Sequence, residues 1–221
     1  MKVVSVQSGR AVWLFETIEL NPRGLDIYPI FLAVRSRYSF ATPKTRDDVE
    51  NAKDGVKFEH GSFKHGGTES FSVQLSIFND GLVAETLAGT DCAEAFLEDA
   101  VNFVQKQHGL YFDPAMVGRK RYGSSLLIES HIGLSKLSAS LEPIRASLSE
   151  ATGRSPQASG LTFGFDPAEP SDGMGPFTIE RRIGVPFSTN RFFSSAPLKT
   201  SVHISILEQF ERLMALTSSG I

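Results

Sequence analysis

Hydrophobic and polar residues alternate most regularly over FSVQLSIF, residues 71–78. Every second residue from Phe71 to Ile77 is apolar, with serine or glutamine between, and this period of two predicts a half-buried strand. The sequence Asn79-Asp80-Gly81 follows directly. Because these residue types tolerate positive φ, we predict a hairpin turn into another strand.

Other segments rich in β-branched and aromatic residues are also predicted to be strands. They are residues 11–20, 25–40, 121–132 and 177–187. Pro29 inside the second segment marks an edge position or a bulge. The polar stretches 42–55 and 166–176 predict surface loops, and 191–199 predicts irregular backbone.

Apolar residues at steps of three and four predict a helix that Thr90 or Asp91 can cap and that ends before Gly109. Glu94 can complete a capping box at its start, and Gly109 stands where a C-terminal glycine is expected. Glu94 and Glu98 point away from the apolar stripe, so we predict that they form a solvated face.

Two later segments also have helical spacing. The first covers 134–153 and carries a heptad-like series: Leu134, Leu137, Leu141, Ile144 and Leu148. Pro143 interrupts this series, so we predict a core-packing helix restarted at Pro143 rather than a coiled coil. The second begins at about Thr200 and is predicted to be amphipathic.

These elements predict an α+β fold with a mostly antiparallel sheet of roughly six to eight strands and about three packed helices. We expect a single domain over residues 1–221, with 113–118 as the place of any sub-division. No repeat of fixed period is visible, although both halves run from strands into a helix.

Composition narrows the class of protein. Of 221 residues, 41% are hydrophobic and 21% charged, which suffices for an ordinary core. The net charge of -3 argues against nucleic-acid binding, since the chain lacks the basic excess that counterion release needs. The one cysteine, Cys92, excludes an intramolecular disulfide and a Cys-rich zinc site.

Targeting and membrane signals are weak. The longest apolar run, residues 28–34, is far shorter than the roughly 20 residues that cross a bilayer. Residues 1–10 do not resemble a signal peptide, because their apolar run is too short. We therefore expect a soluble, cytoplasmic protein without membrane contact.

The segment EHGSFKHGGT, residues 59–68, invites two chemical interpretations. It has the spacing of a phosphate-binding loop, but Gly67 replaces the lysine that contacts phosphate, and a strand-like sequence follows it instead of a helix. His60 and His65 are metal-ligand candidates, although only a loop could bring them together, with a third ligand such as Glu59. We predict a connecting loop.

The candidate residues for catalysis and for anion binding do not belong to a recognisable motif. Cys92 at a helix N-terminus, with His65 or His131 as a base, is the catalytic candidate, because a helix N-terminus lowers a thiol pKa. The anion-binding candidates are Arg119, Lys120, Arg121 and Arg182.

The functional expectation is a non-enzymatic binding or assembly module that acts through protein–protein contacts, as a homo-oligomer or with another protein. No cofactor is expected. The alternative is a small-molecule enzyme, a hydrolase or transferase, whose site forms only in the fold from the loops 42–55, 59–68 and 166–176.

Overall fold

The computed structural model describes residues 1–50, 52, 55–67, 69–131, 142–166 and 175–216. It is a mixed α+β fold, as the sequence predicts, with an antiparallel eight-stranded sheet in the order β2-β3-β4-β1-β5-β8-β7-β6. The strands are β1 Lys2–Leu14, β2 Val56–Lys64, β3 Ser70–Phe78, β4 Gly81–Thr86, β5 Arg119–Glu129, β6 Gly160–Phe163, β7 Phe177–Arg181 and β8 Arg191–Ala196.

The helices in the described part of the chain are α1 Ile27–Arg37, α2 Asp47–Glu50, α3 Thr90–His108, α4 Glu142–Thr152 and α5 Thr200–Leu216. Short 3-10 helices lie at Thr17–Leu20, Pro114–Met116 and Phe187–Thr189. Contacts within the chain divide it into two compact units. The N-terminal unit comprises Val6–Ser124 with Leu198–Thr200, and the C-terminal unit comprises Met1–Ser5, Ser125–Pro197 and Ser201–Ile221.

In the N-terminal unit, α1 and α3 pack on one face of the strands. The alternation over 71–78 is confirmed, because Val73 and Leu75 are buried while Ser72 and Gln74 are exposed. The predicted hairpin is also confirmed, since Phe78 pairs with Gly81 across the turn between β3 and β4. The core of this unit joins strand residues to both helices: Ala11, Trp13, Phe58, Val73, Leu75, Leu82, Ala84, Ile30, Val34, Phe96, Leu97 and Val101.

The strand prediction for residues 25–40 is wrong, because the structure forms α1 there. The Asp26 side chain accepts a hydrogen bond from the Tyr28 backbone N–H and so caps the helix. Pro29 falls in the first turn, where a helix tolerates proline. Ile30 and Val34, four residues apart, then lie buried on one side. Burial against α3 outweighs the strand propensity of the β-branched and aromatic residues.

Other boundaries also differ from the sequence predictions. Residues 59–64 belong to β2, where His60 has φ 57 and the register shifts between Phe58 and Gly61, so the bulge lets the strand continue through the predicted loop. Residues 191–196 form β8 rather than irregular backbone. β7 ends at Arg181, short of the predicted 187.

In the C-terminal unit, β6, β7 and β8 form a meander, and His203 of α5 contacts Ser194 of β8 and Phe177 of β7. The buried apolar residues of this unit include Leu126, Ile128, Ile179, Phe192, Leu207 and Met214. The predicted helix after Pro143 is present as α4, but none of its residues is buried, so core packing of α4 is wrong. The preceding part of the Leu134–Leu148 series, up to Leu141, lies outside the described residues.

The chain order of elements repeats. Apart from the short α2, a strand, a helix, three strands and a helix occur from β1 to α3, and again from β5 to α5. In both series the meander of three strands is followed in the sheet by the first strand of the series, giving β2-β3-β4-β1 and β6-β7-β8-β5. The two series share no sequence period, so only the structure reveals this repeat.

Candidate functional site

The N-terminal unit contains an apolar cavity of about 590 Å³ between the helices and the sheet. We call it the N-terminal pocket. Its volume lies within the range of ligand-binding pockets, roughly 300–1,000 Å³. Its walls come from α1, α3, β3 and β4: Ile27, Ile30, Phe31 and Val34, then Ala100, Val101 and Val104, then Leu75, Ile77 and Leu82.

Small residues help to leave this space unfilled. Ala52, Gly55 and Ala100 line the pocket and contribute little volume to it. Gly55 has φ 81, and a Cβ there would lie 2.6 Å from the Ile77 carbonyl oxygen, so a larger residue does not fit this turn. A substitution at Gly55 would therefore force this part of the pocket wall to move.

The pocket opens at the 3-10 helix Thr17–Leu20. Ile18 lines the pocket, yet 77% of it is exposed to solvent, and Ile27 is also exposed at 40%. The apolar surface therefore continues from the interior onto the outside of the molecule. No sequence signal identified this site, because its residues have the spacing of ordinary core and turn residues.

Few polar groups face the pocket. The Thr17 hydroxyl donates to the Phe78 carbonyl at 2.8 Å, and the Asn21 amide exchanges two hydrogen bonds with the Leu25 backbone, both at 2.9 Å. Glu16 is exposed and is the one charged residue among the described residues that line the pocket. The described lining therefore holds no acid–base pair, and its chemistry suits the binding of apolar groups.

Glu94 is the most strongly perturbed carboxylate of this unit, and its predicted roles are wrong. Its oxygens accept hydrogen bonds from Lys120 at 2.8 Å, Lys199 at 2.9 Å and Tyr122 at 2.9 Å. Burial raises the pKa of Glu94, but these donors outweigh it and lower the pKa to about 2. Glu94 is therefore neither a solvated residue nor part of a capping box, and Gly89 occupies the N-cap position without a side-chain cap.

The anion-binding candidates do not share one face of β5. Lys120 is paired with Glu94, and side chains alternate along a strand, so Arg119 and Arg121 point to the other side of the sheet. Arg182 is exposed just beyond β7 in the C-terminal unit. Their role as an anion site stays a prediction.

The catalytic candidates lie on or beside separate elements, whereas the metal candidates His60 and His65 lie in and directly after β2. Burial, with a smaller effect of the Asp91 carboxylate, raises the pKa of the Cys92 thiol, which is opposite to the shift that activates a thiol. His65 follows β2 and stacks on Phe63, with ring centroids 6.3 Å apart. The exposed His131 donates its backbone N–H to Glu211 in the C-terminal unit. Among the described residues, no group of at least three His, Cys, Asp or Glu could hold a metal ion.

A buried serine–histidine pair in the C-terminal unit has no signature in the sequence. His203 Nε2 lies 2.8 Å from Ser194 Oγ, and both residues have no solvent exposure. The Ser194 hydroxyl donates its single hydrogen to the Thr178 carbonyl at 2.7 Å, so Nε2 of His203 is the donor to Ser194. Burial lowers the pKa of His203 to about 4. A neutral, fully enclosed imidazole stabilises the core and has no access to substrate.

Comparison with known proteins adds no family: neither a protein-family model nor a curated protein matches the chain. Across the described helices, none is long and apolar enough to cross a membrane.

Proposed function

We propose that the protein is a non-enzymatic binding module whose N-terminal pocket receives apolar side chains of a protein partner. The observation that carries this proposal is the continuity of the apolar cavity with the exposed Ile18 at its mouth. Large exposed apolar residues beside a cavity are typical of interaction sites.

A protein partner fits this surface better than a small enclosed ligand does. A ligand confined to the cavity would leave Ile18 in water. A partner surface that covers the mouth removes both Ile18 and the cavity from solvent. Full burial of an isoleucine side chain contributes about 1.5–3 kcal/mol. We therefore expect Ile18 to be a central binding residue. We expect the contacts around it to exclude water.

The proposal includes the cellular setting. A single half-buried cysteine suits a reducing compartment, and we propose the cytoplasm. The partner is either another protein or a second copy of the chain.

The proposal is tested with peptides selected from a random phage-displayed library against the full-length protein. We expect the selected peptides to share a cluster of aliphatic or aromatic side chains. Isothermal titration calorimetry should show at least about tenfold weaker binding to Ile18→Ser, since about 1.4 kcal/mol corresponds to tenfold. Leu87→Ser is the matched control, because Leu87 is 62% exposed in the same unit and does not line the pocket.

A second variant tests the interior. Ala100→Leu places extra volume in the cavity and should also weaken peptide binding. Failure to select any specific peptide, or affinities indifferent to both Ile18 and Ala100, would reject the proposed function.

A further inference from the structure

We infer that the partner is a second copy of this chain, whose β7–β8 loop inserts Ile183 into the N-terminal pocket and places Arg182 beside Glu16. This inference rests on the proposed function and names its partner. The contact is head-to-tail, because the pocket and the loop are different surfaces of the chain.

The loop presents an apolar side chain of the kind that the pocket accepts. Residues 182–190 connect β7 to β8, and Ile183 in this loop is 96% exposed. Among the described large apolar residues it is the most exposed. An isoleucine held almost entirely in water gains most from transfer into an apolar cavity.

The charges of the two surfaces are complementary. Glu16 is the charged group among the described residues that line the pocket, and no described Lys, Arg or His lines it. Arg182 is exposed and directly precedes Ile183. An arginine can meet a carboxylate with two parallel hydrogen bonds, and the pair strengthens when docking excludes water.

The loop is held in shape before it binds. Arg181 is 9% exposed, and its guanidinium donates to the carbonyls of Phe187 at 3.1 Å and Ala158 at 3.0 Å. At the far side of the loop, the Thr189 hydroxyl donates to the Pro186 carbonyl at 2.7 Å. An ordered loop loses little conformational entropy on docking, which favours its use as a binding element.

The oligomeric state is the first readout. Size-exclusion chromatography with light scattering should show mass rising with concentration over roughly 1–500 µM, as expected for a weak contact. Glu16→Arg, Arg182→Glu, Ile18→Ser and Ile183→Ser should each remain monomeric over that range. The control variants Glu98→Arg and Arg154→Glu change exposed charges outside both surfaces and should associate like wild type.

Two combinations identify the contact itself. The double variant Glu16→Arg/Arg182→Glu restores the opposite charges and should recover association. A mixture of Ile18→Ser, which keeps its loop, with Ile183→Ser, which keeps its pocket, should form one-to-one heterodimers and nothing larger. Only a head-to-tail contact gives this result, because each variant retains one functional half.

Each contrary result has a defined meaning. A wild-type monomer at all concentrations, failure of the charge reversal to restore association, or a mixture that stays monomeric would overturn the inference. If selected peptides still bind the pocket in an Ile18-dependent manner, the proposed function stands without the self-association. If peptide binding fails as well, both are rejected.

Discussion

Thr90 and Thr200 exchange hydrogen bonds between the first turns of two helices. The Thr90 backbone N–H donates to the Thr200 hydroxyl oxygen at 3.1 Å, and the Thr200 backbone N–H donates to the Thr90 hydroxyl oxygen at 2.9 Å. The hydroxyl of each threonine therefore accepts a hydrogen bond from a backbone N–H at the start of the other helix, where that N–H has no partner within its own helix. The residues are 110 positions apart in the chain, so this reciprocal capping is a tertiary contact.

Thr90→Val should destabilise the protein by about 1–2 kcal/mol, since valine keeps the shape of threonine but leaves the Thr200 N–H without its acceptor. Urea unfolding followed by circular dichroism measures the change. Thr90→Ser retains the hydroxyl and should lose less of the free energy of unfolding than Thr90→Val. Equal stability of the valine variant and wild type would show that water replaces this bond at no cost.

Gly9→Ala should destabilise the protein more than Thr90→Val does. A Cβ at Gly9 would overlap the carbonyl carbon of Gly89, so the backbone has to move. We expect a loss of about 3 kcal/mol, at the upper end of overpacking effects. Gly123→Ala is the matched strand control, because its Cβ would meet its nearest neighbour, the Arg10 Cβ, at 3.9 Å.

The fluorescence of the single tryptophan reports this change. Trp13 is buried in the N-terminal unit and stacks on Phe112, with ring centroids 5.8 Å apart. Its emission should shift at a lower urea concentration in Gly9→Ala than in Gly123→Ala. If the two variants unfold at the same urea concentration, the backbone near Gly89 moves to accommodate the added Cβ without a loss of stability.

The Glu94 network predicts a loss of stability in acid. The folded-state pKa of Glu94 is about 2, below the ordinary value of 4.5, so its contribution is complete above pH 4.5 and disappears as the pH falls toward 2. Glu94→Gln should cost on the order of 1 kcal/mol near neutral pH, because solvent screens both lysines. The difference from wild type should shrink over that acidic range. Glu98→Gln, an exposed change on the same helix, should show no such trend.

His203 predicts a second, higher pH window. Its folded-state pKa of about 4 lies below the ordinary 6.5, so the unfolded chain binds a proton that the folded core resists. Stability should therefore fall as the pH drops from 6.5 toward 4, by on the order of 3 kcal/mol. His203→Gln, which keeps an N–H donor, should lack this part of the pH dependence. Circular dichroism in urea at several pH values measures both proteins.

Local patterns explain which elements were predictable. The alternation over residues 71–78, the Asn79-Asp80 turn and the stop of α3 at Gly109 all depend on neighbouring residues. Gly109 adopts φ 71, which glycine reaches without strain. For these segments, the local preference and the tertiary packing agree, so the sequence alone suffices.

The errors arise where packing overrides local preference. Residues 27–37 have β-branched and aromatic character, yet Asp26 caps them and the α3 surface buries Ile30 and Val34. The sequence of residues 191–196 predicts irregular backbone, but the neighbouring β7 supplies hydrogen bonds and makes these residues β8. A sequence window shows neither the partner strand nor the partner helix.

The sequence by itself determined the α+β class, the β3–β4 hairpin, α3 and the terminal α5, because backbone periodicity and turn chemistry act between near neighbours. The tertiary structure decided the chemistry of the candidate sites. Glu94 meets Lys120 and Lys199, which are 26 and 105 positions away, and the pocket joins residues from Glu16 to Leu110. Such groups meet only after the chain has packed, since their contacts depend on burial and on long-range geometry rather than on spacing.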